Sequence, residues 1–301
     1  MHLSILPMLE NIGYEVHYKP DIKQEEVFDT IELYSGLILR SKIFIGKEIL
    51  ERAHNLKFIA RAGAGMDQIV EEEVLKRNIK LINAPEGNRN AVAEHVLGSI
   101  LTLFNKIHTA NFEVKNGVWL REENRGYEIE GKTVAIIGYG NNGKAFAKCL
   151  KGFDCKVLAY DILPSSEYAD ENAIPSSMET IFNEADIVSF HTPLTSLTEN
   201  LVNKDFLQKF KKNIWLFNSS RGKVVVINDL LDAIDNGKVL GAGLDVLPIE
   251  NLNKFKEKEP KTYERLMNNP KILLTPHVAG WTHESHMKIN KTLVEKIKSL
   301  N

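Results

Sequence analysis

The feature that most constrains the fold of this chain is a regular alternation of short apolar runs with amphipathic segments. The runs are rich in β-branched and aliphatic residues, which is typical of strands buried on both faces of a parallel sheet. Because parallel strands need crossover connections, and the intervening segments have helical periodicity, the pattern predicts an α/β fold. The runs are LYSGLILR, LKFIA and IKLIN, followed later by TVAIIGYG, KVLAYD, ADIVSFHTP, IWLFNSS, KVLGAGLDV and KILLTPH.

The two groups of runs predict two Rossmann-like domains. Between them, an apolar periodicity from about Asn88 to Val114 predicts one extended helix. The last amphipathic segment is expected to return to the first block. We therefore predict a discontinuous, flavodoxin-like domain of residues 1–97 and 283–301, and an inserted dinucleotide-binding domain of residues 98–282.

Composition and charge argue against several classes of partner and location. The formal net charge is −2, and no cluster of Lys and Arg suggests a nucleic-acid groove. No window approaches the ~18 apolar residues of a membrane span, and the N-terminal segment is a poor secretion signal. Cys149 and Cys155 are expected to be reduced thiols. We expect a cytoplasmic protein without nucleic-acid or membrane partners.

A glycine motif follows the first run of the second block. Residues 133–137 lead into Gly138-Tyr-Gly140-Asn-Asn-Gly143, and a helical pattern starts directly afterward. In that context the three glycines allow a tight turn, close approach of a pyrophosphate, and close helix–strand packing. Asp161 lies 18 residues beyond Gly143, where an acidic residue binds ribose hydroxyls and disfavours a 2′-phosphate. This predicts NAD rather than NADP; a structural turn with an unrelated Asp is the alternative.

Three polar residues follow successive runs near the end of the second block. They are Arg221 in NSSRG, Glu250 in GLDVLPIE and His277 in LLTPHVAG. Histidine suits the proton transfer that accompanies oxidation of a 2-hydroxy acid, and a neighbouring carboxylate stabilises its imidazolium. A guanidinium binds a carboxylate in a forked geometry and polarises a ketone. Each residue alone also fits a surface or structural role, but their joint spacing favours a catalytic site.

On these motifs the chain resembles the D-2-hydroxyacid dehydrogenase family. NSSRGKVV, GAGLDVLPIE and TPHVAGWT are similar to the family's three catalytic motifs. RAGAGMD, NAPEGNRNAVAEH and HTPLTSLTENLVN are similar to other family landmarks. The resemblance implies NAD-dependent hydride transfer on a small 2-hydroxy or 2-oxo acid, with substrate bound by the first domain. It also implies a homodimer formed through residues 88–125, the helix from Asn88 and the arm containing Trp119.

The resemblance further implies a set of binding residues. Backbone amides around Ala64 and Gly65 would face the substrate carboxylate, and no metal ion is expected. The dinucleotide contacts would fall on Gly138, Gly140, Asn141, Asn142, Gly143, Asp161, Thr192, Pro193, Ser219, Ser220, Asp245 and Gly280.

Two segments, ARAGAGMD and GVWLREENRGYEIEGKT, are similar to the phosphoglycerate dehydrogenase subgroup. They imply that Arg61 and Arg121 contact a substrate phosphate, the latter across the dimer, although both also fit a surface or dimer-contact role. The reaction would interconvert 3-phospho-D-glycerate and 3-phosphohydroxypyruvate, the entry to serine biosynthesis. The alternatives are a reductase for glyoxylate, hydroxypyruvate or another 2-oxo acid, and an NAD-sensing corepressor of the same architecture.

The chain departs from the family pattern in three places. Glu250 is followed by Asn251 and a polar insert rather than by Pro, which leaves Glu257 and Glu259 as weaker candidates. The chain opens in or just before the first helix, so we expect either a truncated start or one strand fewer in the substrate domain. It also ends soon after the last helix, so we expect no regulatory domain and no inhibition by serine.

Overall fold

The computed structural model describes residues 2–300 of the chain. It divides into two compact units: the first comprises the residues up to Arg89 and those from Trp281 onward, the second Asn90–Gly280. Strands pair in parallel in both units, as the α/β prediction requires. No helix within residues 2–300 combines the length and the apolar character needed to cross a lipid bilayer.

The elements are numbered in chain order over the described residues. The strands are β1 (Gly36–Leu39), β2 (Phe58–Arg61), β3 (Lys80–Asn83), β4 (Thr133–Ile137), β5 (Lys156–Tyr160), β6 (Ile174–Pro175), β7 (Ile187–Phe190), β8 (Ile214–Asn218), β9 (Val239–Leu244) and β10 (Ile272–Leu274). The helices are α1 (Ile5–Glu10), α2 (Gln24–Thr30), α3 (Lys47–Arg52), α4 (Glu71–Lys76), α5 (Pro85–Phe104), α6 (Ile107–Lys115), α7 (Asn141–Cys149), α8 (Ser165–Tyr168), α9 (Met178–Glu184), α10 (Lys204–Gln208), α11 (Ile227–Asp235), α12 (Leu252–Lys258), α13 (Pro260–Met267) and α14 (His283–Lys298).

In the first unit, the described sheet has the strand order β1-β2-β3. The central strand β2 is buried on both faces because its side chains alternate between two apolar clusters. Phe58 and Ala60 pack with Leu293 of α14, whereas Ile59 packs with Ile49 of α3. A cavity of about 560 Å³ lies between residues 14–20 and the open edge of β1.

In the second unit, the described sheet has the order β10-β9-β8-β7-β4-β5-β6. Within this sheet the first strand in chain order is β4. Strands β5 and β6 are added on one side of it, and β7 to β10 are added on the other side. All six runs predicted in this block are strands, and every residue of β4, β7 and β8 is buried. The reversal of strand order between β4 and β7 creates the crevice in which such sheets bind ligands.

The prediction of one extended helix from Asn88 to Val114 is wrong. The structure has two helices, α5 and α6, separated at Asn105 and Lys106, and Lys106 adopts a left-handed backbone with φ of 49°. The carbonyl of Phe104 accepts a hydrogen bond from the Tyr127 amide at 2.9 Å, a partner outside the helix. The Phe104 ring is fully buried and packs 4.9 Å from the Trp215 ring, so tertiary packing sets the end of α5.

The polar insert after Glu250 is folded. Asn251 caps α12, since its side chain accepts a hydrogen bond from the Lys254 amide at 3.0 Å. Phe255 of this helix is 1% exposed and belongs to the main core of the second unit. One apolar side chain within a charged stretch therefore anchors the segment that follows the predicted catalytic Glu.

Candidate active site

Strand register aligns the predicted site residues along one edge of the large sheet. Ile137 is in register with Tyr160 on one side and with Phe190 on the other. The alignment continues through Asn218 and Leu244 to Leu274. The residues immediately after these strand ends therefore form a row across the edge: Asp161, Gly138, His191, Ser219, Asp245 and Thr275.

The three glycines of the motif occupy positions with different steric demands. Gly138 has a φ of +92°, and a Cβ there would lie 2.9 Å from the Thr192 amide nitrogen. A Cβ on Gly143 would lie 2.3 Å from the Gly138 carbonyl, so only glycine lets α7 pack this closely. Gly140 caps α7 with extended backbone, and apart from residues 139–141 no atom of the described chain lies within 4 Å of its Cβ position. The space before the α7 N-terminus is thus open to an anionic group.

Three side-chain oxygens around this turn are buried and lack a hydrogen-bond partner within the described chain. They are Asn142 Oδ1, Thr192 Oγ1 and Ser219 Oγ, all on residues predicted to contact the dinucleotide. Burying a polar group without a partner costs about 1–3 kcal/mol, so such groups are usually satisfied by a ligand or water. The open glycine turn and these oxygens fit the phosphates and polar edges of a dinucleotide.

Asp161 is held beside the glycine turn by backbone hydrogen bonds. Its Oδ2 accepts the Tyr139 amide at 2.8 Å and its Oδ1 accepts the Leu163 amide at 3.2 Å. Each carboxylate oxygen keeps further acceptor capacity. The carboxylate is therefore fixed at the strand end from which it can accept ribose hydroxyls.

Replacing Asp161 with Ala is expected to reduce the preference for NADH over NADPH by roughly ten- to a hundredfold in kcat/KM, because the charge that repels a 2′-phosphate is removed. Steady-state kinetics with both cofactors measure the ratio. Asp205→Ala, which removes an exposed carboxylate on α10, serves as the control. An unchanged ratio in Asp161→Ala would refute the role of the carboxylate.

Asp245 organises the loop that carries His277. Its carboxylate is buried, with the residue 4% exposed; Oδ1 accepts the Thr275 hydroxyl at 2.6 Å and the Val278 amide at 2.9 Å. Oδ2 accepts the Ala279 amide at 2.8 Å, and the Asp245 carbonyl accepts the His277 amide at 2.8 Å. His277 has a φ of 55°, a conformation uncommon for residues other than glycine. The loop is thus held by hydrogen bonds to the Asp245 carboxylate.

The imidazole ring of His277, after β10, and the carboxylate of Glu250, after β9, form the predicted pair. His277 Nδ1 lies 2.7 Å from Glu250 Oε1, and the two side chains are 49% and 54% exposed. Glu257 lies exposed on α12 and Glu259 is exposed at its C-terminal end, whereas the carboxylate beside His277 is that of Glu250. When Nδ1–H donates to Glu250, Nε2 is the ring nitrogen left to exchange a proton with a bound substrate.

The turn that bears Arg221 depends on two residues that the sequence reasoning missed. Asn218, which is 1% exposed, accepts the Ser220 amide at 3.0 Å and donates to the Arg221 carbonyl at 3.0 Å. A Cβ on Gly222 would lie 2.0 Å from the Leu247 carbonyl carbon, so the turn lies directly against the segment leading to Glu250. A buried Asn at a strand end and a Gly directly after an Arg are the available sequence signals.

The RAGAGMD loop follows β2 in the first unit. Gly63 has a φ of +144°, and its Cβ position lies 1.5 Å from Arg61 Nη1, so the guanidinium folds over this glycine. Asn83 Nδ2 donates to the Ala64 carbonyl at 2.8 Å, while Gly65 is half-buried. The loop is therefore held between the ends of β2 and β3.

Three further polar residues are Arg40, Asn88 and Arg121. Arg40, which the sequence reasoning missed, follows β1 at the same sheet edge as Arg61 and stacks 4.0 Å from the centre of the Trp281 ring. Asn88 Oδ1, at the start of α5, is buried without a hydrogen-bond partner in residues 2–300. Arg121 lies exposed in the loop between α6 and β4 of the second unit.

His191 lies beneath the glycine turn and remains neutral. Its Nε2 lies 2.9 Å from the Ser189 hydroxyl, its Nδ1 is buried, and burial lowers the pKa of His191 to about 4. The unfolded chain binds the proton near pH ~6.5, whereas the folded chain does so only near its lowered pKa. Folding stability supported by the neutral ring is therefore lost as the pH falls through this interval.

The free energy of unfolding is expected to fall by roughly 3 kcal/mol on account of this one group as the pH drops from 7.5 toward 4. Urea unfolding of the wild type and of His191→Asn across that range isolates the contribution, because other titrating groups are shared. The variant should have a shallower pH dependence. Parallel curves for the two proteins would show that His191 titrates normally.

Comparisons with known proteins identify the family of this chain. A model described as D-isomer specific 2-hydroxyacid dehydrogenase, NAD binding domain, matches residues 97–279. A D-3-phosphoglycerate dehydrogenase from Archaeoglobus fulgidus is 33% identical over 290 residues, which are 96% of this chain and 53% of that protein. A hydroxypyruvate reductase from Thermotoga maritima is 33% identical over 279 residues, covering 92% of this chain and 88% of that protein.

A solved structure gives the same result. The NAD complexed form of a D-isomer specific 2-hydroxyacid dehydrogenase from Lactobacillus delbrueckii ssp. bulgaricus has a TM-score of 0.81 and 25% identity, and the match covers 100% of this chain and 95% of that one. The chain belongs to the D-isomer specific 2-hydroxyacid dehydrogenase family, with NAD as its cofactor. It spans about half the length of the D-3-phosphoglycerate dehydrogenases from Archaeoglobus fulgidus and Bacillus subtilis that it matches. The predicted family, fold class and cofactor are confirmed.

Proposed function

We propose that this chain is an NAD-dependent dehydrogenase that interconverts 3-phospho-D-glycerate and 3-phosphohydroxypyruvate. The observation that carries the activity is the contact of 2.7 Å between His277 Nδ1 and Glu250 Oε1. It supplies an oriented acid–base group at the same sheet edge as the open glycine turn. In this proposal the second unit binds NAD and the first unit binds the substrate.

The chain's own residues then perform three tasks during reduction of the 2-oxo acid. The Arg221 guanidinium binds the substrate carboxylate and polarises the adjacent ketone. Protonated His277 donates its Nε2 proton to the ketone oxygen, which becomes the hydroxyl of the product. Glu250 holds the ring in place through its contact with Nδ1. A reduced dinucleotide bound by the second unit would supply the hydride for the new C–H bond.

Two observations support a phosphorylated substrate. Arg40 directly follows β1 and Arg61 is the last residue of the neighbouring β2, at one edge of the first sheet where the RAGAGMD loop begins. Relatives named D-3-phosphoglycerate dehydrogenase match nearly the whole chain. Guanidinium groups suit phosphate because they bind it through two parallel hydrogen bonds. In the same proposal Arg121, which lies in the arm containing Trp119, supplies a further cation for the substrate phosphate.

A reductase for hydroxypyruvate is the second candidate, because the Thermotoga relative with that name is matched over 88% of its own length. An NADH-consumption panel tests both with phosphohydroxypyruvate, hydroxypyruvate, glyoxylate, pyruvate and 2-oxoglutarate. Our proposal expects the highest kcat/KM for phosphohydroxypyruvate, and a raised KM for that substrate alone in Arg61→Leu. A higher kcat/KM for hydroxypyruvate would favour the second candidate. Tight NADH binding without turnover of any substrate would favour the corepressor.

The proposal includes a homodimer formed through the segment of residues 88–125. On α6 and the loop after it, several large apolar side chains are exposed: Ile107, Phe112, Val114, Val118, Trp119 and Leu120. Phe112 is 69% and Trp119 80% exposed, and such a patch on a folded protein usually marks an interface. Sedimentation equilibrium of the wild type and of Phe112→Ser/Trp119→Ser tests the dimer; a monomeric wild type would refute it. A cytoplasmic location remains a prediction.

A further inference from the structure

A histidine on α5 contacts the loop that carries the catalytic histidine. His95 Nε2 lies 3.0 Å from Thr275 Oγ1, and Thr275 donates its hydroxyl proton to Asp245 Oδ1 at 2.6 Å. His95 Nε2 is also 3.6 Å from that same carboxylate oxygen, and its side chain is 23% exposed. None of the reactions described above uses His95.

The hydrogen bonds of this cluster have one consistent direction. A threonine hydroxyl has a single proton, and that of Thr275 is given to the Asp245 carboxylate. The Thr275 oxygen must therefore accept from His95, which places a proton on His95 Nε2. The chain of donors runs from His95 through Thr275 to Asp245.

Asp245, the last member of this series of hydrogen bonds, binds the backbone around His277. Asp245 binds the amides of Val278 and Ala279 through its carboxylate and that of His277 through its carbonyl. A left-handed backbone at a residue such as His277 costs about 1–3 kcal/mol and persists only where its surroundings impose it. The two residues after His277 are fixed by the carboxylate that His95 and Thr275 help to orient.

Helix α5 provides a firm support for His95. The Ser99 hydroxyl donates to the His95 carbonyl at 2.9 Å. The Cβ of Ser99 also lies 3.5 Å from the Cβ position of Gly243 on β9, so the helix packs directly on the strand that Asp245 follows. His95 and Asp245 are thus held by elements in van der Waals contact.

We propose that His95 is a positioning residue: acting through Thr275 and Asp245, it holds residues 275–279 so that His277 keeps the backbone that presents its ring to Glu250. It does not touch the substrate. The inference rests on the proposed function for its kinetic readout, and on the geometry of the cluster alone for its spectroscopic readout.

The kinetic test compares variants that keep or remove the donor. His95→Gln retains an N–H at a similar reach, whereas His95→Leu removes it. His95→Leu should lower kcat by about tenfold to a hundredfold, the range for a misplaced catalytic group. The NADH dissociation constant should change less than about twofold, and His95→Gln should restore most of kcat.

Thr275→Val breaks the same chain at its middle and keeps the test open if His95→Leu folds poorly. The effects of His95→Leu and Thr275→Val should be strongly non-additive, because both interrupt one path. Additive effects on kcat would overturn the proposal. So would a His95→Leu protein with lowered thermal stability but wild-type kcat.

The spectroscopic test separates this inference from the proposed function. In protein labelled at histidine, the ring signals of His277, assigned by their loss in His277→Gln, should shift in His95→Leu and in Thr275→Val, but not in His95→Gln. Unshifted signals would refute the positioning role whatever the activity. If the His277 signals shift in the two variants while the wild type turns over no 2-oxo acid, the proposed reaction is refuted and the positioning role is supported.

Discussion

Replacement of His277 with Gln is expected to lower kcat by roughly 10²–10⁴-fold while leaving NADH binding nearly unchanged. Glutamine is close to histidine in size and can still hydrogen-bond Glu250, so the loop should keep its shape. Its amide cannot take up or release a proton at neutral pH, so the loss isolates the acid–base role. The same backbone strain is present in both proteins, since neither residue favours the φ of 55° at this position.

The measurement is steady-state kinetics as a function of pH, combined with an NADH titration. The variant should also lose one ionisation from its kcat/KM profile. His54→Gln, at an exposed turn of the first unit, controls for the substitution itself. Nearly full activity in His277→Gln would show that another group transfers the proton.

Replacement of Gly140 with Ala should weaken NADH binding by at least about tenfold, a loss of ~1.4 kcal/mol or more, without unfolding the protein. The described structure leaves the Cβ position of Gly140 open, and its backbone is extended, so alanine fits the free protein. The added methyl group would occupy the space in which a pyrophosphate approaches the backbone. The effect should therefore appear in binding and not in stability.

Fluorescence titration with NADH and thermal unfolding measure the two effects separately. Gly152→Ala is the matched control, because its Cβ position is also clear of other described atoms within 4 Å. Gly143→Ala should instead lower the melting temperature, since its Cβ would lie 2.3 Å from the Gly138 carbonyl. Wild-type affinity in Gly140→Ala would mean that the dinucleotide does not approach this turn.

The sequence predicted the features that depend on local pattern. Apolar runs marked the strands, and the glycine spacing marked the turn at the end of β4 and the start of α7. The order of Arg221, Glu250 and His277 could be read because each follows a strand of the same parallel sheet, and strand ends collect at one edge. The pairing of His277 with Glu250 rather than Glu257 or Glu259 required the folded structure.

The features that the sequence did not predict depend on contacts between distant residues. The break between α5 and α6 contains no Gly or Pro. It arises from the hydrogen bond that the Tyr127 amide donates to the Phe104 carbonyl. His95 and Thr275 are 180 residues apart, and Gly222 meets the backbone of Leu247. Hydrophobic periodicity reports which face of an element is buried, but not what that face contacts.

The left-handed backbone at position 277 makes the demands of stability and of turnover conflict, because the residue that this backbone favours cannot transfer a proton. Glycine tolerates φ near 55° far better than histidine does, so glycine at position 277 should make the folded chain more heat-resistant while removing its proton-transfer group. Selection of random variants for survival at high temperature alone would therefore enrich for inactive protein at this codon. Selection that also demands NADH turnover would retain the histidine and its strain.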